Sequence, residues 1–425
     1  RDSLKGQAGI QTAFDALRLR QPLKRVGPRG SGQWQSISWE QALREIVQGS
    51  PDLGTPGLRN IWAYVPKEPV MADWEKVKAG AMSQAEFDGK YKDVLIDTRH
   101  PDLGPKANQI AGLGGDRDDF VGERVFRGSI GSMNYFNHGG ICGITGVIAN
   151  VRSYTSPKPK KRMYADLKGA EFVIIWGTNP VVANKGPTWL APTLSIAIQR
   201  GLKVAVVDPR LSKTAEKAHI WVPIQPGTDA ALALAMGRWI VENKRYDERY
   251  LRNPDQKTAK AAGEPTWSDA THLVVVSDPK RPKLRAERIS LGTKDQFVVM
   301  VNGKPVPHDQ AASPADLEVE ATIGDLRVKS VFTLYKERVM EQSLEQYAAI
   351  CQVPVGQIVE LAREFTIHGK RAAVMSYRGP AMHGNGYQAI RAINTLNHLI
   401  CNHDWKGGEM TTGASFATTS GRYDL

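Results

Sequence analysis

Two short apolar runs rich in β-branched residues, at 171–176 and 203–207, constrain this chain most. The first ends at Gly177. A segment with apolar residues at helical spacing follows over 189–200 and stops at Gly201, a residue suited to a helix C-terminus. The second run closes at Asp208, Pro209 and Arg210. Runs without polar alternation suit strands buried on both faces, and strand–helix–strand order is the βαβ unit of a parallel sheet, whose crossover should be right-handed. Residues 218–222 read as a third strand. Pro226 and Gly227 then lead to Thr228, placed to cap an apolar helix over 230–241. The expected fold is therefore α/β and doubly wound.

The same grammar recurs at 371–377, a strand, followed by a loop bearing Gly379, Gly384 and Gly386 and by a helix over 387–400. Residues 60–65 and a helix from 38 to 46, with Ser38 and Gln41 as a capping box, begin a further α/β region. Between about 250 and 333 the pattern changes. Strand-like residues 296–301 meet Asn302 and Gly303, a hairpin signal inside a small β-containing insertion. At 425 residues the chain exceeds what one core usually supports, so two or three lobes are expected, and the recurring pattern reads as two doubly wound lobes. Residues 38–168 with 355–425 would form one, and 169–354 the other, which carries the insertion.

Composition narrows the function. The net charge is +12, from 56 Lys and Arg against 44 Asp and Glu. The basic residues are dispersed apart from the run at 158–162, and no nucleic-acid motif accompanies them, so nucleic acid is disfavoured as a partner. An anionic substrate or a pyrophosphate-bearing cofactor suits such a field better. No apolar run reaches the eighteen or so residues of a membrane span, and the first residues form no apolar leader. With no initiating Met, the sequence reads as a processed or cut chain. The three cysteines, Cys142, Cys351 and Cys401, form no CxxC pair, so this segment alone builds neither a zinc site nor an iron–sulfur cluster.

In open α/β sheets ligands sit beyond the carboxyl ends of the strands. Three loops fall there: Gly177, Thr178, Asn179 and Pro180; Asp208, Pro209 and Arg210; and the stretch from Gly379 to Gly386. Glycine lets a phosphate approach the backbone, and helix N-terminal amides favour its charge. Asp208 can accept from a ribose hydroxyl or a guanine edge, and Arg210 can pair with phosphate. A large dinucleotide is implied, but not NAD, because no G-x-G-x-x-G follows any strand. Each loop alone also reads as an ordinary turn. A second constellation, from Gly131 to Gly143, surrounds Cys142 with glycines and His138. Such a loop can bring a soft thiolate to a transition metal, although a free Cys is more often a small buried hydrophobe. His138 is placed either to hydrogen-bond near that thiolate or to brace the loop. Cys351 and Cys401 sit in apolar helical patterns and read as core.

With these motifs in hand, the chain resembles the molybdopterin oxidoreductases of the dimethyl sulfoxide reductase superfamily. The resemblance is carried by Gln7 to Gln11 and Pro22 to Gly27, Ser38 to Leu43, Trp176 to Pro180, Val207 to Arg210, Pro226 to Leu232, and Asn397 with Asn402 and Lys406 to Gly408, all in family order. Lys92 to Asp97, His100 to Asn108 and the 138–143 loop are similar to tetrathionate reductase catalytic subunits in particular. Arsenate, selenate and polysulfide reductases share much of the frame.

The resemblance implies a bis-molybdopterin guanine dinucleotide cofactor around one molybdenum, with Cys142 as metal ligand and His138 beside it at the catalytic centre. Gly177, Thr178, Asn179, Asp208, Arg210, Pro226, Gly227 and Asp229 match loops that hold one guanine dinucleotide. Gly379, His383 and Asn385 fall where the cofactor is approached from the other lobe, and Lys5 matches a basic residue between an iron–sulfur cluster and a pterin.

The resemblance further implies two-electron reduction of an oxidised sulfur compound such as tetrathionate, a small anionic substrate; Arg124, Arg127 or Arg152 could favour its entry, although each reads more simply as an exposed surface arginine. A membrane anchor and an iron–sulfur electron-transfer subunit would be partners, at the periplasmic or outer face of the membrane. Two departures stand. The 4Fe-4S cluster of full-length relatives lacks its ligands here, Ser3 occupying the fourth cysteine position, so residues 1–37 read as the remnant after a missing cluster domain. The C-terminal domain that normally completes pterin binding is also missing, so the rest belongs to a chain about twice as long or to other polypeptides. A cofactor-free structural homologue in a respiratory complex is the alternative reading, and an NAD-dependent dehydrogenase ranks third.

Overall fold

The computed structural model describes residues 4–58, 65–114, 128–137, 143–154, 163–182, 190–312 and 314–411. The expected strand at 60–65 falls almost wholly outside them, as do His138, Cys142, Arg124, Arg127, Ser3 and the basic run up to Arg162. The chain divides into two compact units, residues 1–138 with 420–425, and residues 139–419.

In the first unit, helix Leu4–Ala13 precedes a small antiparallel pair, Leu23–Arg25 with Trp34–Ser36. Helix Trp39–Gln48 begins where expected. The Ser38 hydroxyl accepts from the Gln41 amide at 3.1 Å, but the Gln41 side chain turns forward to Glu45 at 2.9 Å, so only half of the capping box forms. Helices Lys67–Lys78 and Gln84–Tyr91 pack through Val70, Phe87, Tyr91 and Leu95. The buried Asp73 carboxylate takes Tyr91, Lys76 and Lys90 at 2.9, 2.8 and 2.5 Å.

The second unit is built on a four-stranded, fully parallel sheet, formed by β1 (Phe172–Trp176), β2 (Lys203–Val207), β3 (Ile220–Val222) and β4 (Ala372–Ser376), in spatial order β4-β1-β2-β3. The helices that matter here are α1 (Ile144–Ser153), α2 (Leu190–Gln199), α3 (Asp229–Glu242), α4 (Leu344–Cys351), α5 (Val355–Ile367) and α6 (Gly386–Ile400). Side chains alternate across the strands. Phe172, Ile174 and Trp176, with Ala205, Val207, Ala372 and Val374, face one core shared with α3 to α6. Val173, Ile175, Val204, Val206, Ala373 and Met375 face a second core against α2. Both faces are thus covered, which is why these strands read as continuous apolar runs. The α/β class and the doubly wound sheet are as expected; among the described residues one such sheet forms.

Two details differ from the sequence reading, and a third was not anticipated by it. Residues 355–425 were expected to join 38–168, but β4 lies directly beside β1, because its alternating side chains fill the same two cores. Thr228 is the N-cap of α3, yet its hydroxyl donates back to the Gln225 carbonyl at 2.6 Å instead of accepting from the helix. The third concerns the free edge of β4. There Asn397 on α6 accepts from the Val374 amide at 2.9 Å and donates to the Val374 carbonyl at 3.0 Å, while Asn402 donates to the Ala372 carbonyl at 2.6 Å. Two side-chain amides take the place of a further strand and satisfy a buried edge.

The insertion has its own small core. Leu273–Val275, Leu326–Ser330 and Glu320–Ile323 form an antiparallel sheet, and Val298–Val301 pairs with Lys304–Pro307 through Asn302 (φ 51°) and Gly303 (φ 75°), the hairpin read from sequence. Cys351 and Cys401 are buried in the main core, as expected, and burial raises both thiols above their ordinary range.

Candidate cofactor site

β4 and β1 are neighbours, and the chain leaves β1 for α2 on one face of the sheet and β4 for α6 on the other. This is the switch point at which open α/β sheets hold ligands. The loops after β1 and β4 meet there. The Gly379 amide donates to the Gly177 carbonyl at 2.9 Å. Gly177 has φ 60°, and a Cβ there would lie 2.9 Å from the Gly379 Cα; a Cβ on Gly379 would lie 2.6 Å from the Gly177 Cα. Neither position has room for a side chain.

Beside this contact Thr178 is half-buried, and the Asn179 side-chain oxygen Oδ1 accepts from the buried Thr214 hydroxyl at 2.6 Å, which fixes the loop after β1. At the end of β2, Asp208 accepts from the Arg210 amide at 2.9 Å, a tight Asx turn that leaves the Arg210 side chain exposed, while Trp221 donates its indole N–H to the Asp208 carbonyl at 2.9 Å. At the end of β3, Pro226 is exposed and Gly227 takes φ 83°. The Asn385 side chain donates to the Gly227 carbonyl at 3.1 Å, and a Cβ on Gly227 would lie 3.5 Å from His383 Nδ1. Asn385 precedes α6 and Gly227 nearly precedes α3, so the N-termini of two long helices converge. Of the expected residues, the structure therefore brings together Gly177, Gly227, Gly379, His383 and Asn385, with Thr178, Asn179, Asp208, Arg210 and Pro226 on adjoining loops.

Asp229 behaves differently. It is 6% exposed, and its carboxylate accepts from the Trp176 indole N–H at 2.7 Å. Burial raises its pKa above the usual carboxylate range, with the Trp176 hydrogen bond pulling the other way. The strand end and the start of α3 are thereby pinned together from beneath. Trp176, Thr214 and Arg378 were not singled out as site residues; position immediately after a parallel strand would have pointed to Arg378. Lys5 lies in helix Leu4–Ala13, and Arg152 is exposed on α1.

Chemically, the strand-end loops suit an anionic dinucleotide. The loops after β1 and β4 contain no acidic residue, Arg378 keeps its Nε buried without a partner among the described residues, and Met382, His383, Gly384 and Asn385 are exposed together. A Cβ on Gly384 would meet nothing within 4 Å, so this backbone faces open space. Among the described residues no group of His, Cys, Asp and Glu is arranged to hold a metal ion.

A doubly wound lobe with such a switch point is the frame on which α/β proteins hold nucleotide cofactors. The chain belongs to the molybdopterin oxidoreductase family, whose model matches residues 122–422. It is 40% identical to a selenate reductase subunit from Mesobacillus selenatarsenatis, over 97% of this chain and 42% of that protein. It is 32% identical to a tetrathionate reductase subunit from Salmonella typhimurium, over 99% of this chain and 40% of that protein. The chain thus spans about two fifths of the length of these curated relatives. Among solved structures, acetylene hydratase from Pelobacter acetylenicus shares the fold, with a TM-score of 0.53 at 20% identity, over 96% of this chain and 39% of the other. No described helix is long and apolar enough to cross a membrane.

Proposed function

We propose that this chain is the central part of a molybdenum-dependent reductase catalytic subunit that reduces an oxyanion of sulfur or selenium by two electrons. The observation that carries the reading is the Gly177–Gly379 closure at the switch point, with no acidic side chain in either loop. The two relatives are named for tetrathionate and selenate, both anions, which supports an anionic substrate of this class. Tetrathionate is the substrate favoured by the sequence motifs. Selenate stands beside it on the higher identity, with arsenate and polysulfide as variants of the same chemistry.

In this reading Gly177, Thr178, Asn179, Asp208, Arg210, Pro226 and Gly227 hold one guanine dinucleotide, and Gly379, His383 and Asn385 approach it from the β4 side. Asp229 holds Trp176, and with it the Gly177 loop, in place. Cys142 is the molybdenum ligand and His138 its neighbour. Lys5 is the basic residue between pterin and iron–sulfur cluster. When bound, the molybdopterin supplies the two-electron chemistry. The chain's own work is to fix the backbone where phosphate must come close, to hold positive potential at two helix N-termini, and to keep carboxylates away from an incoming anion. A membrane anchor and an iron–sulfur subunit complete the electron path at the outer face of the membrane.

The test is oxidation of reduced viologen by the purified full-length protein with tetrathionate, selenate, arsenate and polysulfide offered separately. Turnover with tetrathionate or selenate is expected. Molybdenum-loaded protein that reduces none of the four would overturn the reading.

A further inference from the structure

We infer that Arg378 is an anion-binding side chain of the switch-point crevice, recognising a tetrahedral oxyanion through its guanidinium. The inference rests on the crevice being the cofactor and substrate site. The loops 177–182 and 377–385 carry one permanently charged side chain between them, Arg378, and no carboxylate. Arg378 is the second residue after β4, next to Gly379, whose amide closes onto Gly177.

Among the described residues its Nε is buried with no hydrogen-bond partner, while the guanidinium carbon lies 5.3 Å from the Tyr377 ring centroid. Stacking on an aromatic ring orients a guanidinium without consuming its N–H donors. A buried donor left unpaired is costly, and such groups usually await a partner. Asp229, at the start of α3, is turned into the core against Trp176. The N-termini of α3 and α6 add positive potential at the same strand ends. A fork of N–H donors, an oriented cation and the lack of a counter-charge are what a sulfate-, selenate- or phosphate-like group requires.

That chemistry has two sources, the pyrophosphate of the cofactor and the chalcogen oxyanion substrate. The experiment separates them with Arg378→Gln and Arg378→Lys in the full-length protein. Molybdenum and guanine nucleotide are quantified, KM and kcat are measured for tetrathionate and selenate, and thermal stabilisation by pyrophosphate and by sulfate is read against chloride at equal ionic strength.

If the source is substrate, Arg378→Gln raises KM about ten- to a hundredfold at unchanged cofactor content, and Arg378→Lys recovers part of it. If the source is cofactor, Arg378→Gln loses nucleotide and molybdenum while remaining folded. Should Arg378→Gln fail to fold, Arg378→Lys carries the test, because it keeps the charge and loses the fork. Unchanged KM, cofactor content and anion stabilisation in both variants would overturn the inference. A wild-type protein without molybdenum would overturn the proposed function alone, and the pyrophosphate and sulfate shifts in wild type against variant would still decide the role of Arg378.

Discussion

The Gly379 amide donates to the Gly177 carbonyl at 2.9 Å, joining the loops that leave two adjacent parallel strands. Because a Cβ on either residue would fall within 3 Å of the other's backbone, both positions require glycine for space, and Gly177 requires it for its φ of 60° as well. Substituting Gly177 by Ala should destabilise the second unit by on the order of 2 kcal/mol, combining left-handed backbone strain with overpacking. The loop would also move away from the crevice, so retention of the cofactor should fall more than stability does. Urea unfolding and molybdenum content measured on the same preparation check this; an unchanged metal content would detach the loop contact from cofactor binding.

Asp229 and Trp176 make a second contact beneath the same loops, at 2.7 Å. Asp229→Ala leaves the buried indole N–H unpaired and should cost about 2–3 kcal/mol, whereas Asp229→Asn keeps an acceptor and should cost less than about 1 kcal/mol. Denaturant midpoints give the comparison. Equal losses would mean that the charge of Asp229, not its hydrogen bond, is what the site needs.

The strands were legible because burial on both faces of a parallel sheet erases polar alternation, leaving residues 171–176 and 203–207 as unmistakable apolar runs. The hairpin at Asn302 and Gly303 was legible from turn chemistry alone. The place of β4 was not, because a strand's sequence says that both faces are buried but not beside which neighbour it lies. Nor does the Thr228 hydroxyl's turn toward Gln225 follow from cap propensity, since one side chain can serve either of two nearby backbone groups.

In the candidate site, the glycines and the Asp208 turn could be located from strand ends. The burial of Asp229 could not, because its partner Trp176 is 53 residues away and their contact exists only once β1 and α3 have packed. The family motif around Asn397, Asn402, Gly407 and Gly408 proves structural within this chain. Its amides close the edge of β4, and the Gly407 amide donates to the Asp166 carboxylate at 2.9 Å.

That edge yields a third prediction. Asn397 is fully buried, and its side chain satisfies both the amide and the carbonyl of Val374. Asn397→Ala would strand both groups, with an expected loss of about 2–4 kcal/mol. Hydrogen exchange should show the β4 amides, Val374 above all, losing protection before those of β2. Uniform loss across the sheet would contradict a local edge role.

The insertion supplies a pH dependence. His272 is 1% exposed, its Nε2 meets the Pro254 carbonyl at 3.0 Å, and its Nδ1 is buried without a partner among the described residues. Burial lowers its pKa from 6.5 to about 4; the Pro254 carbonyl and Asp269 oppose this, and Lys283 and His308 reinforce it. The unfolded chain therefore takes up a proton between pH 6.5 and 4 that the folded chain refuses. The stability contributed by the neutral ring is complete above pH 6.5 and lost as pH falls toward 4, by about 3 kcal/mol. Unfolding free energies from pH 7 to 4.5 should fall more steeply for wild type than for His272→Gln. Parallel slopes would show that His272 is not the group responsible.

Elemental analysis of the purified full-length protein beside its Cys142→Ser variant shows whether these strand ends hold a molybdenum cofactor. About one molybdenum per chain is expected in the native protein, accompanied by guanine nucleotide released on denaturation, with loss or an altered metal spectrum in the variant. Folded native protein containing neither molybdenum nor nucleotide would contradict it, and the strand-end loops would then belong to a structural relative that has kept the frame without the cofactor.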